Sequence, residues 1–340
     1  MPRPSSPHRL QTLQIPPLPN SALPASSPAA ALSPAVRNQV YAEREQGRLL
    51  LDLYRPVRRE HAGLRPDAAA RAEVAAPTVL WFHPGGFRSG SKDIVPIDWL
   101  TRCGFNVVSV AYRLVPGTRY PGQVEDAVDA LRYLRAHAGR LHLCPCRFVA
   151  AGMSAGAYLA SMAALAGPRH RADAVSVRGV INLAGFSDFM ALQTLPSRRE
   201  RVELLTPEAR LLGQQPVDRP ELALEASPIH HVTPASPPFL HIHGERDEII
   251  PLDQTRRFHN ALKRRGVPSK MVVLKGLRHH VKKTLGNEGV QDRMLRFVRE
   301  RLSAPVTEAE AAAAEAAATA ASAAEAADAA DVVQPEGRGG

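Results

Sequence analysis

Cysteine is scarce in this chain: Cys103, Cys144 and Cys146 are the three present, so they cannot all pair. Two of them flank a single proline, a spacing poor for a disulfide, and reduced thiols in a cytoplasmic protein are the expectation. Aromatic residues make up 5% of the chain, which offers no stacking platform for bases, and no nucleic-acid-binding motif is present. There is no apolar run of ~18 residues to cross a bilayer, and the N-terminus lacks the apolar centre of a secretory signal. Residues 1–40 carry arginine but no acid, which leaves organelle targeting open. Neither a His-Glu-x-x-His run nor a Cys-x-x-Cys pair occurs, so a metal centre has no support and no cofactor is expected. The net charge of +10 is spread unevenly. Basic residues gather at Arg198–Arg201 and between Arg256 and Lys283, and a solvated face explains them best.

What the chain does contain starts with Gly152-Met153-Ser154-Ala155-Gly156, which follows the apolar run 147–151 and precedes a small-residue helical pattern over 158–165. A serine on a tight strand-to-helix turn has its hydroxyl thrust out of the sheet, and glycines on either side leave room for the turn. Ser154 reads as a nucleophile. Such a mechanism needs an oxyanion hole, an acid and a base, each at the end of a strand and in the order serine, acid, histidine.

Upstream, the apolar run 78–82 ends in His83-Pro84-Gly85-Gly86. Glycines there turn main-chain N–H groups toward a developing oxyanion without a Cβ in the way. The segment resembles the His-Gly-Gly-Gly oxyanion loop of α/β-hydrolase esterases, except that Pro84 stands in place of the first glycine. Proline has no N–H, so the expected donors are Gly85, Gly86 and Ala155. Downstream, the run 239–243 leads into Gly244-Glu245-Arg246-Asp247-Glu248. Four carboxylates lie between Glu245 and Asp253, and composition does not choose among them. The resemblance does: the His-Gly-x-x-Asp segment of the family carries the acid, and its match falls on Asp247. The run 270–274 then reaches Lys275-Gly276-Leu277-Arg278-His279-His280, which resembles the Gly-x-x-His ending of the family with His279 in the matching place. His280 remains the alternative and needs a loop one residue longer. Histidine suits the role because its unperturbed pKa near 6.5 lets it take and return a proton near neutral pH. The other histidines, His241 and His243 among them, are assigned to the surface or to packing.

Between these motifs strands and helices alternate. Strands are expected at 49–53, 78–82, 106–111, 147–151, 179–183, 239–243 and 271–274, with helices at 123–136 and after Ala155, Leu252 and Asn287. The leucines at 49, 51 and 53 read as a half-exposed strand. Right-handed crossovers place every motif at the carboxyl edge of one mostly parallel, doubly wound sheet. The chain resembles the hormone-sensitive-lipase-like and feruloyl-esterase-like carboxylesterases of the α/β-hydrolase fold over roughly residues 38–302. Tyr112-Arg113-Leu114 and Pro121 to Asp126 belong to that likeness as structural phrases, with Glu125 and Asp126 complementing a helix N-terminus.

Residues 1–37, rich in proline, serine and alanine, read as disordered; 38–304 read as the α/β-hydrolase domain, and 305–340 as an alanine-rich acidic tail able to form a solvated helix with no large apolar face. A small helical cap is expected over 186–235, where Phe186, Phe189, Met190, Leu192, Leu195, Leu204, Leu205, Leu211 and Leu212 line it, and Asp188 at its start is a weaker catalytic candidate. The resemblance implies a serine hydrolase that cleaves small carboxylic esters through an acyl-enzyme, without a cofactor. An amidase, formamidase or peptidase on the same triad, or a ligand-binding homologue whose chemistry has been lost, are the alternatives.

Overall fold

The structure is a computed structural model that describes residues 32–57, 76–166, 176–193 and 206–331, the last eight of these without side chains. Eight strands form one sheet among the described residues: β1 (Val36–Arg44), β2 (Gly47–Tyr54), β3 (Ala76–Phe82), β4 (Asn106–Val110), β5 (Leu143–Met153), β6 (Val180–Leu183), β7 (Phe239–Gly244) and β8 (Ser269–Leu274). Their order is β1-β2-β4-β3-β5-β6-β7-β8. Pairing is antiparallel from β1 to β2 and from β2 to β4, and parallel from there to β8. Helices α1 (Gly122–Ala136) and α2 (Ala155–Leu165) follow β4 and β5.

The central strands β4, β6 and β7 are buried along their whole length, and β3 from its second residue on, because the middle of the sheet is covered on both faces. Leu80 and Phe82 of β3 join one core cluster with residues of α1 and α2, while Val79 and Trp81 join the other, the two-residue period of a strand dividing them. Register fixes where the strands stop. Phe82 sits opposite Gly152, Met153 opposite Leu183, Leu183 opposite Ile242, and Gly244 opposite Leu274. The ends of β3, β5, β6, β7 and β8 therefore share one carboxyl edge, the edge where open α/β sheets bind ligands.

Three features depart from the sequence reading. β1 begins at Val36, inside the stretch read as disordered, and Ala35 N already donates to Leu53 O at 2.8 Å. As an edge strand it buries only Tyr41 fully, so it carries no apolar alternation to read. β2 is not half-exposed: Leu49, Leu51, Asp52, Leu53 and Tyr54 are all buried. Asp52 is tolerated there because its carboxylate accepts from Asn38 N at 2.7 Å and Lys92 Nζ at 2.8 Å. Asp126, read as a helix-end charge, is fully buried and binds the main-chain N–H of Arg113 at 2.9 Å and the guanidinium of the same residue at 2.7 Å.

The stretch between β6 and β7 holds the short helices α3 (Phe189–Leu192), α4 (Pro207–Leu212) and α5 (Pro220–Glu225). Phe186, Phe189, Leu192, Leu211 and Leu212 are buried in the core cluster that contains α2, and Met190 packs against it. Leu195, Leu204, Leu205 and the Arg198–Arg201 cluster lie outside the described residues. Helix α6 (Leu252–Arg264) follows β7, and α7 (Val281–Leu285) and α8 (Glu288–Leu302) follow β8. The alanine-rich tail forms α9 (Glu308–Asp331). Its first turns are tied to the body: Arg178 Nη2 meets Glu310 Oε2 at 2.6 Å, Cys146 Sγ donates to Glu310 O at 3.1 Å, and Ala314 is buried. All three cysteines are free thiols. No helix among the described residues is long and apolar enough to cross a membrane.

Candidate active site

Ser154 occupies the single residue between β5 and α2, at φ 58° and ψ −121°. A side chain in that conformation is strained, and strain of this kind is held in place only by the structure around it. Here the two flanking glycines do the holding. A Cβ on Gly152 would come within 2.3 Å of the Gly156 carbonyl, and one on Gly156 within 1.9 Å of Phe82 O. The turn closes because helix and strand meet backbone to backbone at both positions. Ser154 N donates to Leu183 O at 2.9 Å, and the residue is 5% exposed.

The loop after β3 places Gly85 at φ +141° and Gly86 at φ +59°. The Gly85 carbonyl turns inward to accept from Arg88 N and Ser89 N, both at 3.1 Å, and a Cβ on Gly85 would lie 1.8 Å from Ser89 O. Only glycine fits. Neither the Gly85 nor the Gly86 N–H finds a protein acceptor among the described residues. Ala155 is the first residue of α2, so its N–H has no acceptor one turn back. The loop is fixed from behind by Tyr112, whose hydroxyl donates to His83 O at 2.8 Å and whose ring stacks on His83 at 4.3 Å between centroids. Burial lowers the pKa of His83, so the ring favours its neutral form.

Asp247 and His279, which the sequence separates by 32 positions, meet: His279 Nδ1 lies 2.6 Å from Asp247 Oδ2. The other oxygen, Oδ1, accepts from Ile249 N at 2.9 Å and Ile250 N at 2.8 Å. Burial alone would raise the pKa of this carboxyl. Hydrogen bonds from His243 and His279, the His279 charge and the Ile250 N–H outweigh burial and hold it well below the usual carboxylate range. No hydrogen bond joins Ser154 Oγ to His279 among the described residues. Such contacts are commonly long before substrate binds.

The rival candidates have other partners. His280 is exposed and caps α7, its Nδ1 accepting from Lys283 N. Asp188 caps α3 by accepting from Ala191 N at 2.9 Å. Glu245 accepts from Gly276 N, Glu248 pairs with Arg278, and Asp253 pairs with Arg257. No cluster of three or more histidine, cysteine or acidic residues among the described residues is placed to hold a metal ion.

His243, assigned to packing from sequence, belongs to this site. It is fully buried, with Nε2 2.8 Å from Ile250 O and 3.3 Å from Asp247 Oδ2, and Nδ1 2.7 Å from Thr255 Oγ1. A carbonyl only accepts, so Nε2 carries the proton and Nδ1 accepts from the threonine hydroxyl. The carboxylate therefore stands between two imidazoles. The signal was present in the sequence, because His243 is the histidine of the same His-Gly-x-x-Asp segment that singles out Asp247.

Several known proteins are similar to this chain. Esterase LipC of Mycobacterium tuberculosis is 33% identical over 199 residues, 55% of this chain and 48% of that protein. The probable carboxylic ester hydrolase LipM of the same organism is 29% identical over 214 residues, 58% of this chain and 47% of that protein. This chain spans about half the length of the curated relatives it matches. Among solved structures, a truncated carbohydrate esterase from gut microbiota superposes with a TM-score of 0.67 at 21% identity, covering 80% of this chain and 98% of that one. A thermophilic esterase from Thermogutta terrifontis superposes at 0.59 with 22% identity, covering 78% of this chain and 91% of that one. Those likenesses establish the α/β-hydrolase fold. The family model described as BD-FAE matches residues 67–262, more than half of the 340, and takes in Ser154, both loop glycines and Asp247. The chain belongs to the BD-FAE family.

Proposed function

We propose that the protein is a serine carboxylesterase acting on small-molecule esters, with Ser154 as nucleophile, His279 as general base and Asp247 as the acid that orients it. One observation carries the reading. A serine held in a strained turn by two glycines shares the carboxyl edge of one sheet with a histidine whose Nδ1 is already bound to a buried, ionised carboxylate. That contact leaves Nε2 of His279 free to face the substrate and fixes the tautomer able to accept a proton there.

In the first step Ser154 Oγ attacks the ester carbonyl carbon while His279 Nε2 takes the hydroxyl proton. The carbonyl oxygen becomes an oxyanion and receives the N–H groups of Gly85, Gly86 and Ala155. One such donor is worth about 3 kcal/mol in comparable sites. Collapse breaks the carbon–oxygen bond to the alcohol, which leaves with the proton from His279, and Ser154 keeps the acyl group. Water then takes the place of the alcohol and attacks the acyl carbon while His279 accepts its proton; collapse breaks the bond from the acyl carbon to Ser154 Oγ, His279 returns the proton to that oxygen, and the acid is released. Asp247 stays ionised throughout and stabilises the imidazolium. Three free thiols support a reducing, cytoplasmic setting.

Short p-nitrophenyl esters, with matched amides, test the assignment. Ser154→Ala is expected to lower kcat by roughly 10⁴-fold or more. Turnover that survives the substitution would reject Ser154 as the nucleophile. An unmodified protein that binds these esters and never hydrolyses them would show that the chemistry has been lost.

A further inference from the structure

A cavity opens at the same sheet edge on the other side of β3. Its volume is about 470 Å³, and it is lined by residues of β1, β2, the segment after β4 and the loop that follows β3, whereas Ser154, Asp247 and His279 follow β5, β7 and β8. None of the proposed catalytic residues lines it. The size falls in the range of small-ligand pockets.

The chain departs from regular structure to shape this cavity. β1 slips register between Val36 and Gln39, and Asn38 within the bulge adopts φ 56°, a conformation uncommon for any residue but glycine. Bulges re-aim side chains, and this one stands beside Arg37 on the cavity rim. The bulge is pinned by the Asn38 N–H bond to Asp52, whose other oxygen takes Lys92 Nζ. Lys92 is 6% exposed, so a buried ammonium forms part of the wall, held by Asp52 at 2.8 Å and Asp93 at 3.3 Å. Asp93, the acid on the rim, is thus already engaged, and it also accepts from Ser91 Oγ.

Arg37 and Arg48 differ from these groups. They sit on adjacent strands, both line the cavity, and neither side chain makes a hydrogen bond or contact ion pair among the described residues. Two guanidinium groups with no acid in contact distance among the described residues, Asp93 acting on Arg37 only at longer range, share the cavity lining with Leu50, Ala111, Tyr112 and Leu114 and match one kind of ligand. The planar fork of arginine suits a carboxylate, and the apolar floor suits the body of an organic acid better than a fully hydrated inorganic anion.

We propose that this cavity binds a small organic carboxylate, its charged end held by Arg37 and Arg48 and its apolar end resting on Leu50 and Leu114. The site does not depend on the esterase reading, although it shares His83 and Gly90 with the loop that carries Gly85 and Gly86. A Cβ on Gly90 would come within 2.3 Å of His83 Nδ1, so the cavity wall and that loop are in direct contact.

Titration calorimetry on the full chain, with benzoate, butyrate and inorganic phosphate as separate probes, tests the proposal. Benzoate and butyrate are expected to bind one saturable site in the wild-type protein and equally in Ser154→Ala, with phosphate weaker than either. The double variant R37Q/R48Q is expected to weaken carboxylate binding about tenfold or more, while R37K/R48K restores part of it. Both arginines are exposed, so thermal midpoint and p-nitrophenyl acetate turnover are expected to stay at wild-type values. The site is overturned if no saturable binding occurs, or if binding persists unchanged in R37Q/R48Q. It is equally overturned if the carboxylate competes with ester in a manner insensitive to both arginines, because the anion then sits at the catalytic edge. Phosphate binding as tight as benzoate would overturn the carboxylate assignment.

Discussion

Replacing His243 by alanine removes a side chain that never touches substrate, and the structure says what that should cost. Nε2–H of His243 is shared between Ile250 O at 2.8 Å and Asp247 Oδ2 at 3.3 Å. The longer contact reaches an ionised group, for which a hydrogen bond is worth about 1.5–3 kcal/mol, and the shared geometry selects the lower end. Each 1.4 kcal/mol is about tenfold in rate. If Asp247 orients His279 as proposed, H243A lowers kcat on p-nitrophenyl acetate by about tenfold while KM holds, because substrate contacts are untouched. The same change leaves Ile250 O and the buried Thr255 hydroxyl without a partner, a stability cost of about 2–4 kcal/mol, so kinetics must be read well below the midpoint of thermal unfolding. H243Q is the control. Its amide nitrogen reaches the Nε2 position and donates, so it should recover most of kcat without acting as a base. A folded H243A with kcat within about twofold of wild type, or a glutamine variant as slow as alanine, refutes a positioning role.

Two further outcomes follow from groups outside the site. His241 is fully buried on β7, neither ring nitrogen has a hydrogen-bond partner among the described residues, and burial first, then His259 and His243, lowers its pKa to about 3. Its folded pKa lies below the unfolded value, so the stability it contributes is present above pH ~6.5 and is lost as pH falls toward 3, at about 1 kcal/mol per pH unit; H241Q should flatten the thermal midpoint over that window, and an unchanged slope would exclude His241 as the cause. Arg178 ties the tail to the body through Cys146 O at 2.9 Å, Ala304 O at 2.6 Å, Pro305 O at 3.0 Å and Glu310 Oε2. R178A is expected to lower stability by about 2 kcal/mol and to expose α9 to limited proteolysis without changing kcat, whereas a helix as protected as in wild type would show that alanine packing alone holds it.

The strands on either side of the motifs were readable because a parallel sheet covered on both faces needs largely apolar runs, and 78–82, 106–110 and 239–243 are such runs despite the polar residues Thr78, Asn106, Ser109, His241 and His243 within them. β1 was not, because an edge strand pairs on one side and exposes both faces, leaving a sequence such as Val36–Arg44 without a period. β2 was read at the right place and on the wrong burial, since the alternation of Leu49, Leu51 and Leu53 says nothing about Asp52, which is buried because Asn38 N–H and, 40 positions away, the Lys92 ammonium both bind its carboxylate.

The same division runs through the site. Ser154 with its two glycines is a local pattern of five residues, although the steric demand on Gly156 comes from Phe82 O of the neighbouring strand. The Asp247–His279 contact spans 32 positions and was reached through likeness to a family rather than through spacing. His243 falls between these cases. It lies four residues from Asp247, yet a histidine at the end of a buried strand looks like a packing residue until its two nitrogens are assigned. That assignment depends on Ile250 O and Thr255 Oγ1, both brought beside it by the turn into α6. Groups that meet substrate are constrained by chemistry to a few residue types and so leave a mark in the chain. Groups that hold them are constrained only by where the fold delivers a donor or an acceptor, and for Asp247 the fold delivers four: two main-chain amides and two imidazoles.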